Sequence, residues 1–335
     1  MSKIKAGVVG TGSIGANHAR ILAQLPSAEF TAVCDNNPET ARDMASRYGA
    51  KAVSSLEEFA GLVDAATIAT PTPTHFTIAK YLLERGKHVL VEKPITETTA
   101  DAKALSDLAR DRGLVLQVGH IERFNPALSA LETRLTHPRF IESHRLSPYP
   151  GRSTEIGVVL DLMIHDLEIV LHLVRSSVKS IDAVGVPVLS QREDIANARL
   201  RFENGCVANI TVSRISPEKV RKIRVFQNDA YLSLDYQTQE GFMYRLARSD
   251  EKESSLLHKI LHAGDQAVVS EFAGKKIVRE IVEVEKGEPL HRELASFLEC
   301  ARAGAAPKVS GYQATAALEL ALEITKIIEE SNGRD

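Results

Sequence analysis

Lys5-Ala6-Gly7-Val8-Val9-Gly10-Thr11-Gly12-Ser13-Ile14-Gly15 lies near the start of the chain, and an aspartate, Asp35, follows twenty residues after its last glycine. The apolar residues 4–9 read as a strand, the glycines as a tight turn, and the residues from 14 onward as a helix. Gly10 lets the chain turn, Gly12 lets a ligand's pyrophosphate approach the backbone, and Gly15 lets helix and strand pack closely. With Thr11, Ser13 and Ile14 they present free N–H groups and the positive end of a helix dipole, which suit phosphate. A second apolar run, 30–34, ends at Asp35, whose carboxylate can accept hydrogen bonds from a ribose 2′- and 3′-hydroxyl pair. GxGxxG is weak by itself. Strand, helix, second strand and terminal acid at this spacing predict dinucleotide binding.

The alternation continues through the first third of the chain. Apolar runs at 3–9, 30–34, 65–69, 88–91 and 115–118 alternate with helical stretches at 14–24, 38–48, 56–62, 74–85 and 98–112. This pattern calls for a doubly wound parallel sheet covered on both faces. Such sheets bind ligands beyond the carboxyl ends of their strands. The informative residues are therefore those just past each run: Asp35, then Thr70 to His75, Glu92-Lys93-Pro94, and Gly119 to Pro126. Beyond Pro126 an apolar helix at 158–174 precedes period-two runs. Asn204-Gly205 between 195–202 and 207–214 marks a hairpin, and Asn228-Asp229 between 221–226 and 230–236 marks a second. Further strands are expected at 243–247 and 276–284, and closing helices at 291–303 and 312–330. The expected fold is α/β followed by α+β. An N-terminal Rossmann domain spans 1–122, and a second α/β domain built on a large, mostly antiparallel open sheet spans 123–335.

Charge excludes several classes of function. The 41 basic and 44 acidic residues are interspersed, so no basic stripe suggests nucleic acid and no acidic block suggests a disordered arm. The first strand is read directly after Met-Ser-Lys, so no signal peptide is expected, and no apolar run approaches bilayer length. Cys34, Cys206 and Cys300 are too dispersed for a zinc site and read as reduced packing residues of a cytoplasmic protein.

Two constellations can carry chemistry. The helix at 158–174 is apolar nearly all round except for Asp161, His165, Glu168 and His172, which fall within a stripe roughly 60° wide at about 100° per residue. Ionisable groups on a buried helix need partners, water or a ligand; a solvated side is the other reading. No metal is expected, because His165 and His172 stand nearly two turns apart and no second ligand cluster accompanies them. Glu92-Lys93-Pro94 closes a strand at the ligand-binding edge. A lysine there can orient a hydroxyl and depress the pKa of a nearby imidazole, although an ordinary surface lysine also fits. Asp35 repels a 2′-phosphate, and Asn36-Asn37-Pro38 supplies no cation to bind one, so NAD is expected rather than NADP.

Taken together and in this order, the glycine turn, Thr70-Pro71 with His75, Glu92-Lys93-Pro94 and Asp161-x3-His165 resemble the Gfo/Idh/MocA oxidoreductase family over essentially the whole chain. The resemblance implies that Lys93, His165 and Asp161 are catalytic. His165 is the base, Asp161 orients it, and Lys93 holds the reacting hydroxyl. It also implies that Thr70, Pro71, His75 and Glu92 line the cofactor edge, with His75 structural. One departure is that Asp161-Leu162-Met163-Ile164-His165 lacks the glycine that the family often carries before this histidine, which alters the local pocket. The run from Gln117 to Pro126 resembles the branch acting on nucleotide sugars such as UDP-N-acetylglucosamine. Arg123, Asn125, Arg145 and Arg152 are then expected to contact substrate beside Lys93, Asp161 and His165. The implied reaction is NAD-dependent oxidation of a sugar C3 hydroxyl by a homodimer or homotetramer that pairs through the open sheet face. A free sugar, polyol or inositol substrate, an NAD-dependent glycosidase, and a non-catalytic NAD-binding regulator remain as alternatives.

Overall fold

Apolar runs that alternate with amphipathic helices must bury both faces of a sheet. They do so in a computed structural model of the protein, which describes residues 3–149, 155–247, 266–272 and 275–333. The chain forms two compact units, Met1–Phe124 with Gly287–Glu319 and Asn125–Lys286 with Leu320–Asp335.

The first unit carries β1 (Ile4–Val9), β2 (Ala28–Cys34), β3 (Lys51–Val53), β4 (Ala65–Ile68), β5 (His88–Glu92) and β6 (Leu116–Gly119). They pair in parallel in the order β3-β2-β1-β4-β5-β6. Strand order reverses between β1 and β4, the switch point at which such sheets open a crevice for a ligand. The connecting helices are α1 (Ser13–Gln24), α2 (Pro38–Tyr48), α3 (Leu56–Leu62), α4 (His75–Glu84) and α5 (Thr99–Asp111). Side-chain caps fix where three of them begin. Asn37 accepts from the N–H groups of Glu39 and Thr40, Ser55 from that of Glu58, and Thr98 from that of Asp101, each satisfying orphan donors of a first turn. No side chain caps α1.

In the second unit α6 (Pro126–Glu132) and α7 (Ile164–Val174) accompany a sheet of nine described strands. These are β7 (Phe140–Leu146), β8 (Val178–Val186), β9 (Ile195–Phe202), β10 (Val207–Ser213), β11 (Val220–Phe226), β12 (Ala230–Asp235), β13 (Glu240–Leu246), β14 (Gln266–Phe272) and β15 (Lys275–Val282). Their order is β14-β15-β13-β12-β11-β7-β10-β9-β8, antiparallel throughout except for β7 with β10. Both expected hairpins form, and Gly205 takes the left-handed conformation at φ 83° that the β9–β10 turn requires. Ile141, Val225 and Leu232 are buried on one face of the sheet. Their strand neighbours Phe140, Phe226, Tyr231 and Tyr244 lie on the other. Those four rings stack across four strands with centroid spacings of 5.6, 5.0 and 4.5 Å.

Two helices close the chain, α8 (Pro289–Ala303) and α9 (Gly311–Asn332). The sequence groups α8 with the second half, but Leu290, Leu294, Phe297 and Leu298 join the core formed by Val8, Ile21, Leu22 and Phe30 in the first unit. Helical spacing reveals a buried face without revealing which core covers it.

A buried ion pair anchors the far end of β10. The fully buried Asp194 accepts the N–H groups of Val188, Leu189 and Ser190 at 2.8, 2.6 and 2.9 Å. It also meets the Arg214 guanidinium at 2.7 Å, and Arg214 in turn donates to the Ile156 carbonyl at 2.8 Å. Burial alone would raise the Asp194 pKa. The Arg214 bond and the three backbone donors outweigh it and hold the carboxyl well below the usual range. The pair's contribution is therefore complete above the ordinary carboxylate range and is lost as pH falls. Arg214→Met leaves this buried carboxylate without its counter-charge, and the expected loss is about 3–5 kcal/mol of stability at neutral pH. The deficit should shrink in acid. Denaturant unfolding at both pH values measures it, and an equal, small deficit at each would refute the assignment.

Candidate active site

The turn after β1 is built by approach distances that only glycine permits. Gly10 sits at φ 99°, and a Cβ there would lie 2.4 Å from the Ala69 carbonyl oxygen. A Cβ on Gly15 would lie 2.0 Å from the Gly10 oxygen, whereas one on Gly12 meets nothing within 4 Å. Two glycines thus serve the packing of α1 on the turn, and the third leaves its outer side open. Ser13 and Ile14 are exposed at the same end of α1. A cavity of about 500 Å³ opens here, lined among others by Gly10, Thr11, Gly12, Asp35, Thr70 and Pro71. Its glycine floor, the uncapped N–H groups of α1 and the carboxylate at its rim fit the pyrophosphate and adenosine ribose of a dinucleotide.

Asp35 is fixed by the turn that it faces. One carboxylate oxygen accepts from the Thr11 N–H at 2.7 Å and the Thr11 hydroxyl at 2.8 Å, and the other accepts from the Asn37 N–H at 2.8 Å. Partial burial acts to raise its pKa; the bonds from Asn37 and Thr11 prevail, so Asp35 titrates below the ordinary range and carries its charge at neutral pH.

The ends of β4, β5 and β6 gather the other expected cofactor-edge residues. The buried His75 places its two ring nitrogens 2.9 Å from the Pro94 carbonyl oxygen and 2.8 Å from that of Thr70. It thereby ties the turn after β4 to the Lys93-Pro94 segment, whose peptide bond is cis. Glu92 lies 3.1 Å from Nε2 of His18 and accepts the Lys93 N–H at 3.3 Å. His120, just past β6, was not singled out by the sequence. It is fully buried, and burial followed by the charges of Lys93 and Arg123 pushes its pKa down to about 3. It is a neutral imidazole throughout the physiological range. Its position directly after a strand end was the only signal for it.

In the second unit Asp161 lies within a π-helical turn, Val159–Met163, and His165 lies in the first turn of α7. Both are half-buried. Glu193 sets how this helix begins. Its carboxylate accepts the Val159 N–H at 3.2 Å, and a Cβ on Gly157 would fall 1.8 Å from it. The wider π turn departs from the regular helical spacing assumed for this stretch. Glu168 is buried, and Nε2 of His172 lies 2.8 Å from the Glu132 carboxylate. Among the described residues no group of three or more potential ligands could hold a metal ion.

The residues expected to contact substrate are placed as follows. Arg123 is buried in the turn Ile121–Phe124 of the first unit. Asn125 caps α6 by accepting the Ala127 N–H, and its amide donates to the Tyr236 carbonyl, both at 3.1 Å. Arg145 belongs to β7, and its buried guanidinium pairs with Asp166 at 2.6 Å. Arg152 lies outside the described residues.

Charge at the cavity rim yields a direct expectation. NADH should bind at least about tenfold more tightly than NADPH, a difference of about 1.4 kcal/mol. Asp35→Ser should erase most of that margin, chiefly by removing repulsion of a 2′-phosphate. Fluorescence titration of both nucleotides against both proteins decides it, and equal wild-type affinities would remove the argument.

Comparison with known proteins agrees with this geometry. Residues 4–120 match the family described as an oxidoreductase family with an NAD-binding Rossmann fold, and residues 129–233 match the GFO/IDH/MocA C-terminal domain. UDP-N-acetylglucosamine 3-dehydrogenase of Acidithiobacillus ferrooxidans is 34% identical over 331 residues, covering 98% of each chain. A solved structure of that enzyme superposes with a TM-score of 0.86 at 32% identity, covering 98% of this chain and 99% of the other. The NAD(+)-dependent scyllo-inositol 2-dehydrogenase of Bacillus subtilis is 25% identical over 96% of this chain and 93% of its own.

Proposed function

The chain belongs to the Gfo/Idh/MocA family of NAD-binding oxidoreductases, and we propose that it oxidises the C3 hydroxyl of a UDP-N-acetylhexosamine such as UDP-N-acetylglucosamine to a 3-keto sugar. The supporting observation is the 34% identity to an enzyme of that name over 98% of both chains. The family's cofactor fits the cradle of Gly10, Gly12, Gly15 and Asp35. When bound, NAD supplies the acceptor for the hydride that leaves the sugar carbon.

The chain's own residues manage the proton and the orientation. Lys93 follows β5, where its ammonium holds the reacting hydroxyl by its oxygen and favours loss of the hydroxyl proton. His165 accepts that proton, as an imidazole suits a general base near neutral pH. Asp161, four residues earlier on the same helix, orients the ring. The fully buried, neutral His120 adds no positive charge to repel the Lys93 ammonium.

Incubation with NAD and a panel of UDP-sugars, inositols and free sugars, followed by absorbance of the reduced nicotinamide, tests the substrate. Turnover confined to an inositol would move the assignment toward the second relative, and glycoside cleavage without net NADH would mark a glycosidase. Lys93→Ala and His165→Ala should each cut kcat/KM by about 10²–10⁴-fold while NADH binding persists. Undiminished turnover in both would leave a non-catalytic NAD-binding role.

The protein acts in the cytoplasm as a homodimer, or as a homotetramer built from two dimers. Among the described residues no helix is long and apolar enough to cross a membrane. The ladder of Phe140, Phe226, Tyr231 and Tyr244 gives the sheet face an aromatic centre of the kind that anchors interfaces. Tyr231→Arg places a charge in the middle of that ladder. It should shift the protein toward monomer in sedimentation velocity, and an unchanged distribution would exclude this face as the interface.

A further inference from the structure

Four polar side chains with no part in the proposed chemistry meet beneath the carboxyl end of β5. His18 of α1, Gln117 of β6 and Glu293 of α8 are fully buried, and the Glu92 side chain is 12% exposed. His18 meets Glu92 at 3.1 Å, Gln117 donates to the backbone carbonyl of Glu293 at 3.2 Å, and the Glu92 charge acts on Glu293. Gly119 closes the space beside Glu92, since a Cβ there would lie 2.8 Å from its carboxyl carbon. Both Glu293 carboxyl oxygens are buried without a hydrogen-bond partner among the described residues.

A buried carboxylate with no donor, facing a second carboxylate, is too costly to remain ionised, and such a group takes up a proton instead. We propose that Glu293 is a positioning residue for Lys93. It is a proton-bearing carboxyl that leaves Glu92 the single charge of the pair, and so keeps Glu92 seated on His18 and on the Lys93 N–H. Burial, followed by the Glu92 charge, raises the Glu293 pKa well above 4.5. The other ionisable groups on elements packed against α8 are His18 and Arg20 of α1 and Glu122 and Arg123 of the turn after β6. Of these His18 is committed to Glu92 and Arg20 to Glu288. Once ionised, Glu293 repels Glu92 from its seat, and the Glu92-Lys93-Pro94 segment moves with it. The inference concerns the same site as the proposed oxidation and rests on that reading only for the importance of Lys93.

The test needs no sugar substrate, so failure of the substrate panel and failure of this inference are separable. In the infrared difference between wild type and Glu293→Gln at pH 7, the wild type should show the carbonyl band of a protonated carboxylic acid. Absence of that band overturns the proposal. The Lys93 resonance, followed after carbon-13 reductive methylation and assigned by its loss in Lys93→Arg, should inflect at the pH where the acid band disappears. Glu293→Gln should abolish that inflection. If the inflection is missing from the wild type or persists in Glu293→Gln, Glu293 does not position Lys93.

Stability gives a third reading with a fixed sign. A carboxyl whose pKa is raised by folding stabilises the fold less and less as pH climbs above 4.5. Relative to Glu293→Gln, the wild-type unfolding constant should rise about tenfold per pH unit until Glu293 ionises in the folded state. Parallel pH profiles would overturn the proposal. Glu293→Met serves the same comparison if the glutamine variant does not fold.

Discussion

One close approach, the Gly10 carbonyl beneath Gly15, governs the first unit. A side chain at position 15 would begin 2.0 Å from that oxygen, so α1 can rest on the turn only if both residues lack one. With the helix seated there, its uncapped N–H groups stand beside the end of β1. The Thr11 N–H and hydroxyl then face Asp35 across the ends of β1 and β2. The carboxylate proposed to select the cofactor is therefore also a brace of the glycine turn. The proposed recognition and the packing share the same atoms at this corner, which is why the glycine spacing and the aspartate have to be read together.

Much of the fold was legible because its signals are local. Strand periodicity, the glycine turn and the capping residues Asn37, Ser55 and Thr98 are each decided within a few residues, and so are hairpin turns such as Asn204-Gly205. β7 escaped notice for a different reason. Two of its inward positions hold Ser143 and Arg145, which bond the buried Asp166 at 2.7 and 2.6 Å, and polar residues at inward positions disguise the alternation. β8 is half-exposed along most of its length and shows no clear apolar face. The assignment of α8 failed because partner choice is a property of the whole chain.

The same ambiguity affected the site. A sequence shows that a side chain is charged but not whether solvent, a ligand or another buried charge will satisfy it. Asn125 and Arg145 were read toward a ligand, and the structure gives each a protein partner: a helix cap with a strand carbonyl for the one, Asp166 for the other. His75 was expected to be structural from the resemblance alone; its two carbonyl contacts show how it joins the ends of β4 and β5.

Burial sorts these charges by whether a counter-charge came with them. Asp166 has Arg145 and Asp194 has Arg214, and each pair fixes a strand or a loop. Glu193 has the Val159 N–H at the start of the π turn, and Gly157 gives it the room to reach it. Further along, α7 uses a histidine for packing, since Nε2 of His172 lies 2.8 Å from the Glu132 carboxylate. Glu293 meets a like charge with no donor among the described residues, so its neutrality has to come from a proton. A buried acid of that kind is a pH-dependent element, and the carboxylate it acts on, Glu92, directly precedes the lysine that follows β5.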